Sequence, residues 1–187
     1  MRQLRERVGR VQYGARGFHQ DASLAMKGDI VRALIETITN SDDAYGDGSG
    51  KIRIEVEHRH GPWKVITRDR ARGMSAARMK EAIEGLGGRM SGFEAGEDVR
   101  GNLGRGAKDL AAFGAVEFES VCDGRYARMV LEETGDTRLV ERKATSEDRK
   151  LLGIKSTGTV VTMHVRENIR CPRHVKLKDK LSTHFQL

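Results

Sequence analysis

Asp29-Ile30-Val31-Arg32-Ala33-Leu34-Ile35-Glu36-Thr37-Ile38-Thr39-Asn40-Ser41-Asp42-Asp43-Ala44-Tyr45 carries two stripes at once. Ile30, Val31, Leu34, Ile35 and Ile38 recur at helical spacing, so the stretch predicts an amphipathic helix with one face on a core. Asp29 can cap its start, and Gly46-Asp47-Gly48-Ser49-Gly50 ends it in a loop. Glu36, Asn40 and Asp43 fall at i, i+4 and i+7 and share a second stripe beside the apolar one. That places them at the edge of the core, facing a cleft.

The flanking sequence reads outward from this helix. Ile52, Ile54 and Val56 alternate with charged residues and predict a half-buried strand; Trp63 to Thr67 predicts another, with Asp69 just past its end. Ser75 to Leu86 predicts a second amphipathic helix with Met79, Ala82, Ile83 and Leu86 inward. Gly85 to Gly106 holds eight glycines in 22 residues, the composition and length of a functional lid or a disordered segment. Ala107 to Phe113 predicts a helix. Val116, Phe118 and Ser120 mark a strand that turns at Asp123-Gly124 into another, Tyr126 to Leu131. Residues 133–157 are polar and irregular, and Thr159 to Val165 predicts a final strand. Residues 1–25 read as an N-terminal arm, 26–169 as the folded domain, and 170–187 as a basic tail with Lys176, Lys178 and Lys180. Runs of strands, not strict alternation with helices, predict the α+β class, a two-layer sandwich.

With 187 residues, the chain is long enough for one domain with a real core. Hydrophobic residues at 37% and charged residues at 33% exclude a disordered chain, and no apolar run reaches the ~20 residues of a spanning helix. Cys122 and Cys171 lack a CxxC partner, which fits a reduced, cytoplasmic setting and argues against a zinc site. The six histidines form no metal or catalytic pattern. A net charge of +7 suits either a nucleic acid or a polyphosphate ligand; no aromatic–basic interleaving indicates base stacking.

Three stretches carry chemistry. In the first, Asn40 can offer a side-chain oxygen to magnesium, and Glu36 can polarise a water toward a phosphate. Read alone, the stripe is more often a solvated acidic face. In Asp69-Arg70-Ala71-Arg72-Gly73-Met74, a carboxylate at a strand end can accept from an exocyclic amine, and Met74 can pack on a purine. Read alone, this is a surface turn. In Gly101-Asn102-Leu103-Gly104-Arg105-Gly106, glycines allow backbone amides close to phosphates, with Arg105 and Lys108 adding positive charge. Read alone, a flexible loop explains it equally well. Neither the dinucleotide fingerprint GxGxxG nor a P-loop is present.

In this order, and followed by Gly158-Thr159, the stretches resemble the GHKL ATPases: the ATP-hydrolysing part of DNA gyrase, heat-shock chaperone ATPases, MutL and MORC proteins, and histidine kinases. The resemblance spans about residues 27–165. Glu36 to Ala44 looks like the family's N box, Asp69 to Met74 like its DxGxGM box, and Gly101 to Gly106 like its second glycine box. Gly158-Thr159 looks like the GT that completes the adenine pocket. The resemblance implies a Bergerat-type two-layer sandwich, with a mixed, mostly antiparallel sheet covered by helices on one face. It implies ATP and magnesium as ligands. Glu36 would be the general base, Asn40 the magnesium and phosphate ligand, and Asp69 the acceptor for the adenine amine, helped by Thr159. Gly73 and Met74 would line the base pocket, Asp43 would support it, and Gly101, Gly104, Arg105, Gly106 and Lys108 would surround the phosphates. Ala71 departs from the pattern, which has glycine there; a required positive φ would cost alanine about 1 kcal/mol.

Glu36 together with Asp43 resembles the hydrolysing branch of the family more than the histidine kinases. The implied activity is a slow, magnesium-dependent ATPase that works as a switch or ATP-dependent homodimeric clamp on nucleic acid or a client protein. In that branch a Lys or Arg from a following domain contacts the γ-phosphate, so the chain reads as an isolated domain with another after Leu187. The competing expectations are a protein kinase of the histidine-kinase or anti-sigma type, and a non-catalytic basic module for nucleic acid.

Overall fold

The computed structural model describes residues 15–58, 62–84 and 106–186. Its centre is a six-stranded open sheet in the order β1-β2-β6-β3-β4-β5. The strands are β1 (Arg53–Glu57), β2 (Trp63–Arg68), β3 (Val116–Cys122), β4 (Arg125–Leu131), β5 (Thr137–Lys143) and β6 (Gly158–Val165). Every neighbouring pair is antiparallel, so the sheet is not mixed as the resemblance implied. The chain is α+β.

The last strand in sequence is central in space. β6 lies between β2 and β3, pairing Arg68 with Val160 on one side and Ser120 with Thr159 on the other. Its first residues, the end of β2 and the end of β3 therefore meet at one end of the sheet. Asp69 follows β2 at that same end.

Side chains alternate across a pleated sheet, and here the two faces differ. Val65, Val116, Phe118, Ala127, Met129, Leu131, Met163 and Val165 join the main core with α1 (Ala15–Met26), α2 (Ile30–Tyr45), α3 (Ala76–Glu84) and α4 (Gly106–Asp109). Alternation puts Val121, Tyr126 and Val160 on the other face, where Leu152 and Ile154 form a smaller core with them. The helix coverage is thus not confined to one face, because α5 (Ser146–Leu152) brings Leu152 to the second.

The predicted helix at 29–45 is α2, capped by Asp29, whose side chain accepts from the Val31 amide at 3.0 Å. The segment read as an arm holds α1, where Phe18, Ala22 and Met26 recur every fourth residue and Ala22 and Met26 are buried. The segment read as irregular holds β5 and α5. β5 is an edge strand with mostly exposed side chains, so it carries no hydrophobic alternation to read. α5 did leave a signal: Thr145 and Asp148 form a capping box. The basic tail forms α6 (His174–Phe185), which buries Leu177 in the main core. The helix expected at 107–113 is split into α4 and a 3₁₀ turn, Leu110–Ala112. No helix among the described residues is long and apolar enough to cross a membrane.

Candidate functional site

A cleft between α2, α3 and the sheet encloses about 770 Å³, part of it open to solvent. Asn40, Ser41 and Thr37 of α2 form one wall; Gly73, Met74 and Met79 form another; Asp69, Phe118, Thr159 and Val161 come from the sheet and its end. The lining is mostly apolar, with its polar groups gathered around Asp69.

Asp69 is 3% exposed. Its Oδ1 accepts from the Ala71 amide at 3.0 Å and the Thr159 amide at 3.1 Å, and its Oδ2 accepts from Ser41 Oγ at 3.2 Å. Burial pushes the carboxyl above its ordinary range; the two amides and Ser41 pull it back. The carboxylate is therefore fixed in position, yet has acceptor capacity left on Oδ2.

The loop after Asp69 is held just as firmly. Ala71 is not among the residues with positive φ, so the expected strain does not arise. Its amide closes a turn onto Asp69, and its carbonyl accepts from Thr157 Oγ1 at 2.6 Å. Gly73 does need glycine: its φ is +74°, and a Cβ there would strike the Val121 carbonyl. The Arg70 amide donates to Tyr45 Oη at 2.9 Å, and Arg70 Nε donates to the Gly153 carbonyl at 3.1 Å.

On α2, Asn40 Nδ2 donates to Glu36 Oε1 at 3.1 Å, as one helical turn allows. Asn40 Oδ1 is shut off from solvent and accepts no hydrogen bond among the described residues. A buried acceptor left unsatisfied calls for an explanation, and a role in holding a cation is one. Burial raises the Glu36 carboxyl above its ordinary range; Asn40 opposes the shift, and the charge of Asp43 adds to it. Gly106 packs so closely that a Cβ there would land on the Glu36 carboxylate. Lys108 is pushed down by desolvation, with Asp109 opposing.

Asn40, Asp69, Gly73, Met74 and Thr159 therefore share one cleft, and Glu36 is linked to it through Asn40. Asp43, Gly106 and Lys108 stand outside the lining, with Asp43 acting on Glu36 and Gly106 touching it. Gly101, Gly104, Arg105 and most of the expected lid lie outside the described residues. No cluster of three or more His, Cys, Asp or Glu side chains suited to a metal occurs among the described residues.

Three polar residues of the site were not singled out from the sequence. Ser41 follows Asn40 and reaches Asp69. Thr37 Oγ1 donates to the Leu34 carbonyl at 3.0 Å and lies 2.9 Å from Thr67 Oγ1. Ser120, fully buried on β3, bridges Met74, Gly158 and Thr159. Ser41 was legible as the neighbour of a singled-out residue on the same helix; Ser120 needed the β3–β6 register. No family model matches the chain, and a search of curated proteins finds no match.

Proposed function

We propose that the chain binds ATP with magnesium in this cleft and hydrolyses it slowly, as a GHKL-type ATPase. The observation that carries the reading is the buried Asp69 carboxylate, held by two amides and Ser41, in the same cleft as Asn40 with its unsatisfied Oδ1. An apolar slot ending in a fixed acceptor suits a base with an exocyclic amine. Met74, Phe118 and Val161 supply apolar walls for its ring.

The donor set fits magnesium. This ion keeps several waters and is usually held through one or two carboxylates plus substrate phosphates, not by an all-protein cage; an amide oxygen is a hard oxygen donor of the same kind without the charge. Asn40 Oδ1 is the oxygen that would hold it, and the ion, when bound, would neutralise charge developing in phosphoryl transfer.

Glu36 is the base in this reading. One of its oxygens is engaged by Asn40, leaving the other to orient a water. Its raised pKa brings it closer to the pH at which it works, which favours proton transfer. The water oxygen attacks the γ-phosphorus, its proton passes to Glu36, and the bond from that phosphorus to the β–γ bridging oxygen breaks to release ADP and phosphate. A nucleotide-driven switch or dimerising clamp on nucleic acid or a client protein follows if ATP favours a closed state.

Phosphate release from ATP and magnesium, measured beside Glu36→Gln, tests the reaction. The wild-type chain releases phosphate, and Glu36→Gln loses about a hundredfold to ten-thousandfold in rate while still binding ATP. Equal rates in the two proteins would remove Glu36 from the reaction.

A further inference from the structure

Ser120 does not line the cleft, yet it decides which way a lining hydroxyl points. We infer that Ser120 is a positioning residue that sets base preference by turning the Thr159 hydroxyl proton away from the ligand. The inference rests on the nucleotide reading above.

Ser120 on β3 faces Thr159 on β6 and has no exposed surface. Its hydroxyl donates to the Gly158 carbonyl at 2.9 Å, and its oxygen accepts from the Met74 amide at 2.7 Å. A hydroxyl has one proton to give, and that of Ser120 is committed to Gly158. In the 3.2 Å contact between Ser120 Oγ and Thr159 Oγ1, Thr159 is therefore the donor. Its lone pairs are what remain for the cleft.

The neighbouring hydroxyls follow the same pattern. Ser41 gives its proton to Asp69 Oδ2, and Thr37 gives its proton to the Leu34 carbonyl. Asp69, as a carboxylate, only accepts. The buried polar end of the cleft thus offers acceptors from Asp69, Thr37 and Thr159, while its lining cations Arg72 and Arg78 are exposed and half-buried. An exocyclic amine meets lone pairs there and is held. A keto oxygen in the same place meets lone pairs and is repelled.

Titrating the full chain with ATP and with inosine triphosphate, which carries a keto oxygen where ATP has its amine, tests the wiring. The wild type is expected to prefer ATP by about tenfold or more. Ser120→Ala frees the Thr159 proton to donate to the keto oxygen, so the preference narrows several-fold. A merely structural Ser120 would weaken both triphosphates alike and leave the ratio unmoved. In a Thr159→Val background there is no proton to redirect, so adding Ser120→Ala leaves the ratio as it is in Thr159→Val alone. Thr159→Val by itself narrows the preference, a readout that does not depend on Ser120→Ala folding. An unchanged ratio in Ser120→Ala, or a wider one in Thr159→Val, overturns the wiring while the ATP site stands. Equal binding of both triphosphates by the wild type overturns the wiring and, with it, the role of Asp69 as acceptor for the amine. Binding of neither by the wild type overturns the nucleotide reading itself.

Discussion

Asp69 and Thr159 are tied to each other twice. The Asp69 amide donates to the Thr159 carbonyl at 2.9 Å, and the Thr159 amide donates to Asp69 Oδ1 at 3.1 Å. Ninety residues separate them in sequence; the insertion of β6 beside β2 makes them neighbours. Gly158, with φ +150°, packs its Cα against the Asp69 carbonyl, where a Cβ would come within 2.5 Å. The polar end of the cleft is thus a rigid joint between two strands.

That joint predicts a pH dependence of stability. Burial raises the Asp69 carboxyl, so the folded chain holds its proton more tightly than the unfolded chain. Stability contributed by this group is then fully present at acid pH and falls as pH rises from the ordinary carboxylate value through the folded one. Asp69→Asn removes the charge while keeping an oxygen for the Ala71 and Thr159 amides. In urea melts, the variant gains on the wild type as pH rises toward neutral, and the gap closes in acid. A gap that widens in acid would mean the carboxylate stabilises the fold.

Asn40→Ala removes both the unsatisfied buried oxygen and the donor to Glu36. The expected loss is specific to the metal. The gain in ATP affinity on adding magnesium falls by about tenfold, a hydrogen-bond-scale effect at a charged group. The metal-free affinity changes less. An unaltered magnesium response would free Asn40 from that role.

Gly106→Ala tests the close approach to Glu36. A methyl group there collides with the carboxylate, which must move. Overpacking of this kind costs about 1–3 kcal/mol. Because α4 is only four residues long and one neighbour is the proposed base, turnover falls more steeply than thermal stability. Comparing phosphate release with the melting midpoint checks this; equal losses in both would mark a packing defect only.

Much of this arrangement was legible in the chain. The i, i+4, i+7 spacing of Glu36, Asn40 and Asp43 on a capped apolar helix placed that stripe at the edge of the core, and Asp69 was legible at the end of β2. β5 was not legible because an edge strand with little burial leaves no alternation. α1 was missed because its buried stripe includes Ala22, too small to stand out in a hydrophobic count. Ser120 was legible as a strand residue but not as part of the site, since its partners come from the Met74 loop and from β6. Local periodicity reports elements; long-range register decides which polar groups meet.

The most direct test of the account is a calorimetric titration of the chain with ATP and magnesium, beside Asp69→Asn. The account predicts saturable one-to-one binding by the wild type and a loss of at least about a hundredfold in Asp69→Asn, because an amide donor would then face the amine of the base. Absence of binding by the folded wild type at millimolar ATP, or equal affinity in the two proteins, would contradict it.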